Sequence, residues 1–291
     1  MNRLLACLFA LLCATLSVSS ACFAQSADWI SFTLQPERSN PARIHANFRH
    51  EGRGRNDNSW STGFMPSDLI GMEVSSFHAS GTRPLHFAIV REAGRLDCAG
   101  TGGNDFASGN CRFSPDPVFM RLLTARGIGQ PTREQAFALM AVNARSELID
   151  ALGTARYPTP TIDNLMALSA LRVDETYIAG MARAGYRPAT LQSLIEFKAL
   201  GITPEWIGGF ARIGYANLPS EELVQMRALG ITPDYISAFE RIGYHNLPVR
   251  KLVELKAMNI TPEFVRSVAG EQKELPAVGE LVNRKIFGSR R

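Results

Sequence analysis

Histidine and cysteine are scarce in this chain, five of each among 291 residues, and several chemistries lose their usual signature with them. There is no HExxH pair to hold zinc on a helix, no Gly-x-Ser-x-Gly elbow, and no Gly-rich loop ending in Lys and Ser or Thr. No cofactor, metal or catalytic residue is expected. A large excess of charge is lacking too. The formal charge of +4 comes from 31 basic against 27 acidic residues, which supports solubility but is no footprint for nucleic acid. Beyond the N-terminal stretch no run of 18 apolar residues occurs, so no later membrane span is expected.

The N-terminus reads "MNRLLACLFALLCATLSVSSACFA", with Arg3 as a positive start, an apolar run from Leu4 to Leu16 and small residues near Ala24. That is the pattern of a secretory signal peptide over residues 1–24, which points to a secreted or periplasmic protein. Its removal would discard Cys7, Cys13 and Cys22 and leave Cys98 and Cys111. Two cysteines in an oxidising compartment most simply pair, for about 2–3 kcal/mol. They flank the Gly-rich "AGTGGNDFASGN", read here as a connector. The alternative at the N-terminus is lipid anchoring at Cys22, after "SSAC", although Ser19 stands where such sites usually carry Leu.

Residues 25–116 read as a small β domain. "WISFTL", "RIHANFRH" and "LHFAIVRE" are short, rich in β-branched and aromatic residues, and separated by clusters of Gly, Asn, Asp, Ser and Pro. "EAG" predicts a hairpin turn into "RLDCAG", which would put Cys98 and Cys111 on adjacent strands or at the base of their connection. "PSDLIG" from Pro66 predicts one helical turn. Asp97, Asn104 and Asp105 offer calcium-type oxygens, and turn chemistry accounts for them equally.

After Pro115 the chain repeats itself. "GITPEWI" from Gly201, "GITPDYI" from Gly230 and "NITPEFV" from Asn259 start 29 residues apart. Sliding by that interval aligns Leu165, Leu194, Leu223 and Leu252, and then Tyr177, Trp206, Tyr235 and Phe264. Within each copy the apolar columns fall at helical spacing, so each unit holds two helices. Gly201 and Gly230 close a first helix; Thr203 and Thr232 cap a second, with Pro204 and Pro233 at its first position. "VFMRLLTARGI" extends the register upstream as a half unit near 117–128, followed by five helix pairs to about 270. One unit cannot cover its own flanks, so the expected class is α+β: a small N-terminal β domain, then an α-solenoid of helix-pair repeats with period 29 over residues 117–270. Residues 271–291, ending "NRKIFGSRR", are expected to be a basic C-terminal tail.

The cadence "FKALGITPEWI", preceded by a short β region ending "FSPDPVF", resembles a class of bacterial envelope proteins with helical repeats. Similar repeats form the tails of membrane zinc-peptidase regulators of the β-lactam-sensor type. The likeness spans roughly residues 90–270 and rests on turn and core residues. It implies an envelope location and signalling company, and it carries over no catalytic residue.

Candidate binding residues therefore come from the surface of the array. One basic column is Lys198, Arg227 and Lys256 on the first helices; another is Arg183, Arg212 and Arg241 at the ends of the second helices, where a cation also complements the helix dipole. Tyr186, Tyr215 and Tyr244 stand at helix exits, where a ring can pack while its hydroxyl stays wet. These features predict a non-enzymatic interaction scaffold that modulates an envelope process through a protein partner, with no nucleic acid. Membrane association would need Cys22 lipidation or the basic tail. One alternative is a module that binds a glycan, peptide or small ligand through the β domain. Another is a hydrolase with its site at the domain junction.

Overall fold

The computed structural model describes residues 29–50, 58–270 and 274–288. The expected signal peptide and the anchoring alternative at Cys22 lie outside the described residues. The N-terminal part is one antiparallel sheet of β1 (Ile30–Glu37), β2 (Asn40–His50), β3 (Asn58–Phe64), β4 (Arg83–Arg91), β5 (Gly94–Gly103) and β6 (Phe106–Pro115). Its order, β3-β2-β1-β6-β5-β4, joins two three-strand meanders along β1 and β6. Alternation sets its faces. Ile30, Phe32 and Leu34 are buried while Thr33 and Gln35 are exposed, and Leu96 and Cys98 are buried between exposed Arg95 and Asp97.

The sheet is strongly curled. The Phe32 and Phe87 rings meet edge to face at 5.0 Å although β6 and β5 lie between their strands. Glycines on the inner face leave the room: a Cβ on Gly109 would come within 2.8 Å of the Phe32 ring, and one on Gly102 within 3.0 Å of Leu85. The Gly-rich segment is thus not a connector. It forms paired strands β5 and β6, joined by a two-residue turn at Asn104 (φ 53°) and Asp105 (φ 62°), as a primed hairpin turn requires. Cys98 and Cys111 are direct cross-strand neighbours at disulfide distance, S–S 2.06 Å. The "PSDLIG" turn is a 3-10 helix at Pro66–Asp68, after which Ile70 forms an antiparallel bridge to Ala88 on the edge of β4. A short helix, α1 (Val74–His78), buries Phe77 against the sheet.

The helical part follows in two interleaved series. One comprises α2 (Pro117–Ala125), α4 (Ser146–Thr154), α6 (Glu175–Arg183), α8 (Pro204–Arg212), α10 (Pro233–Glu240) and α12 (Pro262–Ala269). The other comprises α3 (Arg133–Ala141), α5 (Ile162–Ala170), α7 (Leu191–Ala199), α9 (Ser220–Ala228), α11 (Val249–Ala257) and α13 (Val278–Phe287). Within each series every helix starts 29 residues after the one before. Contacts run α3 to α5 to α7, α9 to α11 to α13, and α4 to α6 to α8. The turn chemistry is local. Thr203, Thr232 and Thr261 accept the amides of Trp206, Tyr235 and Phe264 in front of the prolines that open α8, α10 and α12. Gly201 and Gly230 close α7 and α9 at φ 67° and 66°. The equivalent closing positions in earlier copies hold Asn143 and Arg172 at φ 56°, and Arg156 stands at φ 57° where Gly185 stands one interval later.

Residue 116 is the side-chain cap of α2, and the buried core runs on from Ile30 through the helices to Leu223. The expected basic tail carries a helix. In α13, Val278 and Leu281 are buried against Phe239, Leu255, Ile260 and Val265, and Lys285 lies over the Phe264 ring at 4.8 Å. Only two of its side chains are buried, too few to show as an apolar face beside "NRK".

Candidate functional site

The first basic column is used internally. Lys198 lies 4.2 Å over the ring of Tyr177, Arg227 5.7 Å over Trp206 and Lys256 4.6 Å over Tyr235. Each cation therefore covers the aromatic of the preceding unit's second helix. Arg227 also donates to the Leu200 carbonyl at the end of α7. Tyr177 and Tyr235 give their hydroxyls to the carbonyls of Ile202 and Ile260 in the next unit; burial pushes both phenols upward.

The helix-exit tyrosines are likewise spent, against the expectation of wet hydroxyls. Tyr215 donates to Leu247 O at 2.7 Å, Tyr244 to Pro276 O, and Tyr186 pairs with Ser220 Oγ at 3.1 Å. The rings pack as well, Tyr186 stacking on Phe197 at 5.7 Å. Each tyrosine thus ties its own unit to the next. The column of Arg183, Arg212 and Arg241 differs. All three are exposed, and they make no hydrogen bond or ion pair among the described residues.

A second arrangement, not found from sequence, occupies the junction of sheet and helices. Arg91 at the end of β4 sends Nη1 to the carbonyls of Met140 (2.7 Å) and Ala141 (2.6 Å) at the end of α3. Its guanidinium lies 5.0 Å over Trp60 and 5.8 Å over Phe64, both on β3. Burial lowers its pKa, with no loss of charge at neutral pH. Beside it, Glu92 accepts the Ser146 amide and so caps α4, whose own cap residue supplies no side chain.

Trp60, Phe64, Arg91 and Ala141 border a cleft of ≈ 1030 Å³, walled by β3, the end of β4 and the turns after α3 and α5. Ser169 lines it too, and its hydroxyl is buried without a hydrogen-bond partner among the described residues. Ser169 stands one interval before Lys198, and Leu148 one interval before Tyr177. The cation and the ring that join later units are therefore both missing where the cleft opens. That break in two columns is the signal in the sequence that marks the place.

The remaining polar candidates have local roles. Asp97 pairs with Arg95, and Asp105 with His78 at 2.5 Å. His45 Nε2 meets Ser61 Oγ at 2.9 Å on the exposed side of the sheet. Among the described residues no three His, Cys, Asp or Glu side chains are grouped to hold a metal, and no helix is long and apolar enough to cross a membrane. No protein-family model matches this chain, and no curated protein does so significantly.

Proposed function

We propose that this is a secreted or periplasmic, non-enzymatic interaction scaffold that modulates an envelope process, its helical part an α-solenoid of period 29 that presents a surface to a protein partner. One observation carries the reading. Of the periodic polar columns, two are consumed in joining units, while Arg183, Arg212 and Arg241 repeat at the same interval, exposed and, among the described residues, without a hydrogen bond or ion pair. A row of arginines at fixed spacing suits an acidic partner surface, because each guanidinium offers a rigid set of donors.

The test is mild crosslinking in cells of the tagged full-length chain, with mass-spectrometric identification, beside a variant carrying Arg183→Glu, Arg212→Glu and Arg241→Glu. The reading expects one reproducible partner, crosslinked next to these helices and lost in the reversed but folded variant. Retention of the same partner by that variant would remove the column from the account.

A further inference from the structure

The junction cleft carries a separate inference, because five consecutive residues of β3, Trp60 to Phe64, border it. A strand that shows a face to a cavity contributes every second residue. Five in a row means that β3 presents its edge, and β3 is indeed the last strand in the order, with β2 as its one neighbour.

The register says which backbone groups face the opening. Antiparallel pairs alternate between hydrogen-bonded and closer, non-bonded ones. Cys98 and Cys111, with Cα atoms 4.0 Å apart, are of the closer kind. Counting outward from them makes Phe48–Trp60 and Ala46–Thr62 the bonded pairs of β2 and β3. The same count turns Ala88 away from β5, and Ala88 does exchange both its bonds with Ile70, each 2.8 Å. Ser61 and Gly63 therefore direct N–H and C=O away from β2. Gly63 O is taken by Arg43; among the described residues the Ser61 groups have no strand beyond them.

Charge indicates what the edge would receive. Cations bordering the cleft are Arg43, Arg91, Arg145 and Arg172, and its carboxylates are Asp68, Glu147, Asp174 and Glu175. Arg43 is paired with Glu37, and Arg145 with Glu147 and Glu92. Asp68 accepts the Met65 amide and Asp174 caps α6. What is left is Arg91 and Arg172 against Glu175. Arg91 is largely buried, with Asp68 near enough to act on it but no carboxylate within ion-pair distance among the described residues.

We propose that this cleft docks an extended, carboxylate-bearing segment of a partner protein, added to the β3 edge as a seventh strand with its carboxylate at Arg91 and Arg172. Main-chain bonds to the edge supply affinity and the arginines supply selection. The ≈ 1030 Å³ cleft sits at the upper end of the range of about 300–1,000 Å³ usual for ligand sites. The site lies apart from the arginine column and stands or falls without it.

The experiment pans a random heptapeptide phage library against the full chain and measures the enriched sequences as end-blocked fluorescent peptides. Enriched peptides should share an acidic residue at a fixed position, and its Glu→Gln or Asp→Asn form should bind on the order of tenfold more weakly. Ser61→Pro deletes the outward donor and leaves the β2–β3 ladder intact, because edge prolines are tolerated there; it should cost a similar factor. Ser61→Ala, which removes the hydroxyl alone, should change binding less than about twofold. Arg172→Ala should weaken the acidic peptide and leave its amide form unchanged. The triple Arg183, Arg212 and Arg241 reversal should bind the peptides normally, so that this site and the column are judged separately. Absence of enrichment, or equal binding by folded Ser61→Pro, overturns the proposal. So does a Ser61-sensitive dimer of the chain, which would make a second copy the occupant.

Discussion

The sheet and the helices are held together in opposite ways. In the sheet every contact is made once: Phe32 meets Phe87, Cys98 meets Cys111, and Arg91 ties β4 to α3. Phe32 and Phe87, and Arg91 and Met140, are far apart in sequence, so neither contact forms until most of the sheet is in place. In the helices one small set of contacts recurs: a threonine cap, a left-handed closing residue, a cation over a ring and a tyrosine reaching the next unit. Stability there should add up unit by unit, as in linear arrays. The sheet should be lost all at once, and the helices by degrees from the far end.

Five variants would break or sharpen this contrast. The largest effect is expected for Phe32→Ala, about 3–5 kcal/mol, read as loss of the whole sheet in denaturant. The same change at Phe239, equally buried, should cost a similar amount but release mainly the helices around α10. Replacing both Cys98 and Cys111 by Ala should cost about 2–3 kcal/mol and lower the sheet's midpoint without altering amide protection in α9 to α12. Thr232→Ala should remove about 1 kcal/mol, felt at α10 and its neighbours. The smallest change is a gain. Arg156→Gly relieves a side chain held at φ 57° and should raise the melting temperature through a stabilisation of up to about 1 kcal/mol.

What the sequence disclosed follows the range of the interactions. Gly201, Thr203 and Pro204 are legible because a stop and a start signal lie within four residues and act on their own backbone. The hairpin turn at "EAG" is legible for the same reason, and the pairing of Cys98 with Cys111 because they are the two cysteines beyond the N-terminal stretch. Gly102 and Gly109 misled, because glycine is depleted in strands and its use here, room for Leu85 and Phe32, belongs to tertiary packing. The role of Lys198 was hidden by its separation of 21 positions from Tyr177, and that of Tyr215 by its separation of 32 from Leu247. Arg91 belongs to no column, so nothing in the sequence singled it out. The break at Ser169 and Leu148 becomes meaningful only once the columns are understood as clamps.

Native-state hydrogen exchange on the full chain tests the contrast most directly. The account predicts that amides of β1, β2, β5 and β6 exchange through one shared opening at high free energy. Protection in the helices should fall stepwise toward α13, and Lys256→Ala should steepen the fall beyond α10. A single opening free energy common to sheet and helices, unmoved by Lys256→Ala, would contradict it.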